Sequence, residues 1–232
     1  MELRYRLEFV PQSAPRLVRL TGEGSHQEEI PLVSLGERFM AWQLTSRINN
    51  LRFFLTGQGE REFAVHTGYM ATASSQGFPL NVAAKGIGLL PRGDLGGWTG
   101  ALEELIAKAG AKGEESTRKE RLEFLLHLYE KESWDDRVLT TIELYGKATW
   151  RNVHEDPRCS VLFSSYRNTS FLVNGVVEVV TPGHPVYRYV VALHDLFHLP
   201  GGPRRDFPGV YRIWACEVWD KTPGPRAGTR MA

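Results

Sequence analysis

Apolar and polar residues alternate along several short stretches of the chain, and this period of two predicts β-strands. Turns rich in glycine, proline and serine separate most of these stretches. Short strands at hairpin spacing, with few helices, favour a closed or partly closed barrel, but the pattern alone does not distinguish one kind of β-barrel from another. The predicted strands cover residues 2–10, 16–21, 64–74, 79–90, 138–146, 160–165, 171–181 and 210–220.

A helical period appears in two places outside the strands. Apolar residues three, four or seven positions apart predict an amphipathic helix over residues 34–55, with Ser34 as its N-cap and Gly57 after its end. A second helix is predicted over residues 185–199, because Pro185 suits the first helical position.

The period also becomes helical between the strands that end at residue 90 and begin at residue 138. Two helices are predicted there, over residues 98–109 and 116–131, and Gly110 and Gly113 separate them. Together they form a predicted insertion of about residues 91–136.

Composition narrows the class of protein. The chain has 232 residues, of which 42% are hydrophobic and 24% charged, as is typical of a globular protein with an ample core. Its net charge of +1 offers no broad field to attract nucleic acid or an anionic membrane, so neither partner is expected. No apolar run approaches the roughly 18 residues of a membrane span. The first residues lack the apolar region of a signal peptide, which predicts a cytoplasmic protein.

Cysteine and histidine residues do not predict a metal site. Cys159 and Cys216 are too few for a disulfide framework, and we expect two reduced thiols on strands. His194 and His198 are one helical turn apart, as metal-binding pairs are, but no third ligand is evident.

A more specific pattern runs through four segments in order. Residues 69–79 and 81–86 read as a β-hairpin that ends in Ala-Ala-Lys-Gly. Asn-Val-His-Glu-Asp-Pro-Arg at 152–158 then leads into Cys-Ser-Val-Leu-Phe, and the next strand has Asn174-Gly175 at its centre. This order resembles the flavin-binding split β-barrels related to pyridoxamine 5′-phosphate oxidase, in which N-(x)3-DPR precedes x-V-x-L-L-F and R-V-N-G-x-A follows. The likeness spans residues 63–92 and 138–181, about a third of the chain.

The resemblance implies a mainly β fold with α-helices, a Greek-key split β-barrel of the FMN-binding type. The helical hairpin at 91–136 would be inserted into it, and other helices would flank it. Residues 1–33 would form an N-terminal β-hairpin extension, and 1–222 a single domain. Residues 223–232 are expected to be a flexible tail.

A flavin mononucleotide (FMN) ends in a dianionic phosphate, which requires cations and hydrogen-bond donors in fixed positions. The resemblance implies that Lys85, Lys147 and Thr149 hold this phosphate, at the start of a helix that adds free N–H groups. Ala148 stands where the family has a basic residue, and Thr149 where it has lysine, so Arg151 is expected to compensate.

The flavin ring would lie against strand backbone. The resemblance implies that Ala83, Ala84 and the strand containing Thr72 contact it, because small side chains let the ring approach the strand. Asn174 and Gly175 are expected to shape strand geometry rather than touch the flavin.

The function implied is that of an FMN-dependent oxidoreductase, in which hydride moves between a small-molecule substrate and flavin N5. A homodimer with flavin sites at the subunit interface is expected, and no catalytic residue is nominated. Pyridoxamine phosphate oxidation is not expected, because residues 218–224 lack the Arg-x-His motif of those oxidases. Two alternatives stay open: a split barrel that binds haem or the deazaflavin F420, and a non-catalytic flavin-binding module.

Overall fold

Strands and helices follow one another in an order close to the predicted one. The computed structural model describes residues 2–9, 17–22, 27–75, 77–199 and 206–232. The first elements are β1 (Tyr5–Phe9), β2 (Leu17–Gly22), β3 (Gln27–Pro31), α1 (Glu37–Thr56) and a 3-10 helix at Phe63–Val65. The next are β4 (Thr67–Ala73), β5 (Leu80–Gly86), β6 (Gly88–Pro91), α2 (Leu95–Lys112), α3 (Glu114–Lys131) and β7 (Trp134–Glu143). The last are α4 (Ala148–Glu155), β8 (Arg158–Ser164), β9 (Ser170–Val180), α5 (Pro185–His198), β10 (Gly209–Asp220) and β11 (Thr229–Arg230).

The main sheet is antiparallel and curls into a barrel. Its strand order is β5-β4-β8-β9-β10-β7-β6. The two ends of this order, β5 and β6, are consecutive halves of one bent strand that is interrupted only at Ile87. One half pairs with β4 and the other with β7, so the ring closes and a split is left beside β5. This is the split-barrel architecture that the sequence predicts, with the helix pair α2–α3 between β6 and β7.

The bend at Ile87 requires a close approach to β4. A Cβ atom at Gly68 would lie 2.6 Å from Val161 and 2.9 Å from Ile87, so only glycine fits there. The Arg47 side chain of α1 fixes the bend from outside the barrel, since it donates a 2.7 Å hydrogen bond to the carbonyl of Ile87.

Helix α1 also covers the sheet through aromatic side chains. The Phe39 ring lies 5.3 Å from the ring of Phe163 on β8 and 5.4 Å from that of Phe171 on β9, both edge to face. All three side chains are fully buried. Such contacts stabilise the fold through both the buried area and the ring geometry.

The helix boundaries correct two predictions. Ser34 is not the N-cap of α1, because the helix begins three residues later, after Gly36, and Ser34 instead donates to Asp136. Gly110 lies inside α2, where no described atom is within 4 Å of the position of a Cβ atom. Gly113 alone separates α2 from α3. Gly57 ends α1 in the left-handed conformation, as predicted.

The structure has more β-strands near both ends of the chain than the sequence predicts. The N-terminal extension is a three-stranded sheet in the order β1-β2-β3 rather than a hairpin. Its third strand, Gln27–Pro31, is mostly exposed and acidic, and therefore lacks the alternation that marks a strand. The predicted turn at 11–15, most of the predicted loop (23–26), the hairpin residue Gln76 and residues 200–205 lie outside the described residues.

The C-terminal tail is paired rather than frayed. β7 covers β10 only from Gly209 to Trp214, so the second half of β10 has a free edge. β11 pairs with Trp219 and Asp220 on that edge, and the main chain of Val218 exchanges hydrogen bonds with Met231 and Ala232. Among the helices of the described residues, none is long and apolar enough to cross a membrane.

The Asn174-Gly175 pair shapes β9, as predicted. The Asn174 side chain accepts a 2.8 Å hydrogen bond from Ser160 and donates a 2.9 Å hydrogen bond to Glu217. Gly175 faces the register shift in β10, and a Cβ atom there would lie 2.4 Å from the backbone oxygen of Trp214.

Gly175→Ala is therefore expected to lower the free energy of unfolding by about 1–3 kcal/mol through overpacking. Thermal unfolding should show this as a fall in Tm of roughly 2–4 °C per kcal/mol. Gly110→Ala is the matched control. Nothing lies within 4 Å of the added carbon, and alanine favours the helix by about 1 kcal/mol. Equal Tm values for the two variants would contradict this account of β9.

Candidate functional site

Helix α4 lies across the β4–β5 hairpin and is held there by side-chain hydrogen bonds. Asn81 of β5 donates a 3.1 Å hydrogen bond to the Thr149 hydroxyl in the first turn of α4. One turn later, Asn152 donates to the hydroxyl of Thr72 on β4, also at 3.1 Å. Thr72, Thr149 and Asn152 are all buried. These contacts place the start of α4 beside the inner face of β5.

A buried ion pair crosses the split in the barrel. The Lys85 ammonium group at the end of β5 lies 2.6 Å from a carboxylate oxygen of Glu143 at the end of β7. The two side chains are only 10% and 3% exposed. Glu143 also accepts hydrogen bonds from the Tyr211 hydroxyl and from the backbone N–H groups of Tyr145 and Gly146.

The environment keeps Glu143 ionised. Burial alone would raise the pKa of this carboxyl group, but the hydrogen bond and charge of Lys85, with the donors at Tyr145 and Tyr211, hold that pKa below its usual value. Because Glu143 binds the turn that precedes α4, the ion pair links the bent strand to the start of that helix.

The start of α4 is an open helix N-terminus. Lys147 is the N-cap residue, and its side chain forms no capping hydrogen bond. Gly146 precedes it with φ of 62°, a conformation that favours glycine. Lys147 and Arg151 are both exposed. Unsatisfied N–H groups and two exposed cations at a helix start are the features that bind an anion.

The structure therefore brings most of the predicted phosphate residues to one place, with one correction. Lys85 and Thr149 are both near the start of α4, but neither is free. Lys85 binds Glu143, and the Thr149 hydroxyl accepts from Asn81. The resemblance implies that Lys85 holds the phosphate, whereas in the structure its charge is already paired with that of Glu143.

The predicted ring contacts also need a correction. Side chains alternate along β5, so Ala83 lies on the face of Lys85 and Asn81, whereas Ala84 lies on the opposite face beside Tyr69. A ring stacked on one face of β5 would touch only one of these two side chains. Thr72 is buried, and its hydroxyl accepts a hydrogen bond from the Asn152 side chain. In the described part of the chain β5 pairs only with β4, and its second edge borders the split with backbone groups available to a ligand.

The sequence analysis missed Glu143, Tyr211 and Asn81. Glu143 follows the run Val-Leu-Thr-Thr-Ile within a predicted strand, and a carboxylate in a buried strand requires a partner. That requirement, together with Lys85 in another predicted strand, could have indicated an ion pair between the two residues. Tyr211 and Asn81 carried no such signal.

The opposite face of this part of the sheet exposes apolar side chains. Tyr69 on β4, Leu80 and Val82 on β5, and Leu162 on β8 lie on one face according to the strand register. Leu80 and Val82 are 61% and 63% exposed. We call these four residues the outer patch, and exposed apolar clusters of this kind mark interaction sites.

The two cysteines and the histidine pair are on regular elements. Cys159 and Cys216 are free and buried on β8 and β10. His194 and His198 share a face of α5, with ring centroids 4.6 Å apart. Among the described residues, no group of three or more histidine, cysteine or acidic side chains is placed to hold a metal ion.

Comparison with known proteins gives matches in structure alone. No protein-family model and no curated protein matches the chain. A pyridoxamine 5′-phosphate oxidase-related, FMN-binding protein of Nostoc punctiforme is 12% identical, with 82% of this chain and 85% of that chain covered and a TM-score of 0.42. The haem storage protein HutZ of Vibrio cholerae is 11% identical, with 81% and 95% covered and a TM-score of 0.41. HupZ of group A Streptococcus is 14% identical, with 70% and 90% covered and a TM-score of 0.41. Similarity at this level assigns no ligand to this chain.

Lys85→Met is expected to lower the free energy of unfolding by about 3–5 kcal/mol, because it leaves the Glu143 carboxylate buried without its cation. Lys108→Met is the matched control. It removes a pair of equal length, 2.6 Å to Glu120, that is largely exposed and worth about 0–1 kcal/mol. Denaturant unfolding of both variants measures the difference, and equal losses would show that the split does not depend on the ion pair.

Proposed function

We propose that this protein binds FMN along the free edge of β5, with the phosphate at the start of α4, and we call this region the flavin cleft. One observation carries the proposal: an open helix N-terminus with two exposed cations, Lys147 and Arg151, is fixed beside the split of the barrel. Phosphate groups bind such positions because N–H groups and the helix dipole both favour negative charge.

The charges around the cleft match a dianion. Glu143 cancels the charge of Lys85, so Lys147 and Arg151 leave two positive charges for a phosphate that carries two negative ones. Lys85 then acts as the structural support of the cleft. Lys147 and Arg151, rather than Lys85, would then bind the phosphate. Arg151 would supply the positive charge that Ala148 lacks.

The unpaired edge of β5 offers the second half of the site. Its amide N–H and carbonyl groups can match the alternating acceptors and donors of a flavin's pyrimidine edge. Ala83, on the inner face, leaves room for a ring to approach. When bound, the flavin supplies the hydride chemistry, and the protein binds it, orients it and limits its contact with water. We therefore propose an FMN-dependent oxidoreductase that acts on a small-molecule substrate.

We expect FMN to bind apoprotein from which any bound cofactor has been removed. Lys147→Ala/Arg151→Ala should raise the FMN dissociation constant about 100-fold, because two charge-assisted hydrogen bonds of roughly 1.5 kcal/mol each are lost. Fluorescence quenching of FMN measures the affinity. Both residues are exposed, so the Tm should change little.

The matched control is Lys112→Ala/Lys119→Ala, which removes two exposed lysines from α2 and α3. Equal FMN affinity in both double variants would place the phosphate elsewhere. The purified protein should absorb at about 450 nm if it holds oxidised flavin, whereas an intense Soret band would favour haem. Bound flavin that neither NADH nor NADPH reduces, with or without a reductase, would favour the non-catalytic module.

We also propose that a second copy of the chain covers the outer patch. The patch includes side chains of β5, the strand that borders the cleft, so a second protomer there would lie next to the site. A net charge of +1 gives two copies little mutual repulsion. Burial of Leu80 and Val82 would remove the most exposed apolar surface of the sheet from water.

Val82→Lys should convert this dimer to a monomer, because the interface would bury an unpaired charge. Light scattering coupled to size-exclusion chromatography measures the mass. Ala111→Lys, at an exposed position of α2, should leave the dimer intact. A wild-type monomer, or a Val82→Lys variant that remains a dimer, would rule out this interface.

A further inference from the structure

A cavity lies on the side of the bent strand, β5 and β6, that faces away from the proposed flavin cleft. Its volume is about 470 Å³, within the range of small-molecule sites. Helix α5, the end of α1 and the strands β6 and β7 enclose it. Thr140, Thr141 and Ile142 of β7 line it, and side chains alternate along the strand, so Thr140 and Ile142 point away from the Lys85–Glu143 pair whereas Thr141 is on the face of Glu143.

Arg47 places a buried positive charge at this cavity. The side chain is 2% exposed, and all of its hydrogen-bond partners are neutral. They are Gln43, the carbonyls of Val65 and Ile87, the Nδ1 atom of His66 and the Tyr129 hydroxyl. No carboxylate of the described residues forms an ion pair with it. A buried cation without a counter-ion is costly, and it attracts an anion strongly where little water is present.

Thr140 adds a hydroxyl group without a partner. The side chain is fully buried, and its Oγ1 atom has no hydrogen-bond partner among the described residues. It lies over Gly88, also in the cavity wall, where a Cβ atom would be only 2.8 Å from Oγ1. A buried hydroxyl left unbonded costs about 1–3 kcal/mol, so a ligand that accepts from it gains that amount.

His66 supplies a second donor. Arg47 donates to its Nδ1 atom, so the ring proton is on Nε2. Burial, with the neighbouring Arg47 charge, holds the pKa of His66 well below its usual value, and the ring is a neutral donor. The rest of the wall is mainly apolar and includes the rings of Phe54, Phe63 and Phe197, with His194 and His198 of α5 beside them. Among the described residues, no acidic side chain lines it.

We propose that this cavity binds a small aromatic carboxylate, with the carboxylate towards Thr140, His66 and Arg47 and the ring among the three phenylalanines. The donors and the buried cation select an anion, and the aromatic wall selects a flat apolar body. The site is separate from the proposed flavin cleft and does not require flavin to be bound.

Calorimetric titration with 2-naphthoate and with 2-naphthalenemethanol tests the proposal, since the two probes differ only in the charged group. We expect naphthoate to bind with a dissociation constant of roughly 1 mM or below and at least tenfold more tightly than the alcohol. Equal affinity for the two probes, or no binding of naphthoate, would overturn the proposal whether or not the protein binds FMN.

Two variants locate the site. Thr140→Val should weaken naphthoate binding at least fivefold with the Tm unchanged or raised, because it removes a hydroxyl to which no described residue hydrogen-bonds. Leu144→Trp narrows the rim of the cavity and should abolish binding. Leu3→Trp, at a similarly exposed residue outside the cavity wall, should not. Unchanged naphthoate affinity in Thr140→Val and Leu144→Trp would exclude this cavity.

Discussion

The Lys85–Glu143 ion pair is the interaction on which the rest of the barrel's open side depends. One strand serves both edges of the sheet by bending at Ile87, and this leaves a split where β5 separates from β7. The ion pair spans the split, and Glu143 also holds the turn that begins α4. A lysine that resembles a ligand residue in the sequence is thus paired within the protein. In the proposed site, the exposed residues Lys147 and Arg151 would bind the phosphate instead.

Much of this fold can be predicted from the sequence, because strand alternation and helical period are local properties. The hairpin β4–β5, the Asp-Pro turn and Asn174-Gly175 were sufficient to predict the split barrel. Local patterns did not predict the strands that are stabilised mainly by pairing with a neighbouring strand. β3 is an exposed acidic strand, and β11 forms only because half of β10 lacks a neighbour. The sequence indicates Lys85, Lys147, Thr149 and Arg151 as candidate site residues. The contact between Lys85 and Glu143 joins residues 58 positions apart and cannot be predicted from spacing.

The bent strand also separates two chemical environments. On one side, ionised Glu143 neutralises Lys85, and the remaining cations are exposed. On the other side, Arg47 fixes the bend through the carbonyl of Ile87 and keeps its charge beside an apolar cavity. We propose anions of different kinds for the two regions: a hydrated dianion at a helix start, and an apolar anion in the cavity beside Arg47.

The affinities of the apoprotein for FMN and for riboflavin test the central claim most directly, because the two molecules differ only in the phosphate. If the start of α4 with Lys147 and Arg151 binds that phosphate, FMN should bind at least 100-fold more tightly than riboflavin, by charge-assisted hydrogen bonds worth about 3 kcal/mol together. The advantage should shrink as salt is added. Equal affinity for the two flavins would contradict the claim.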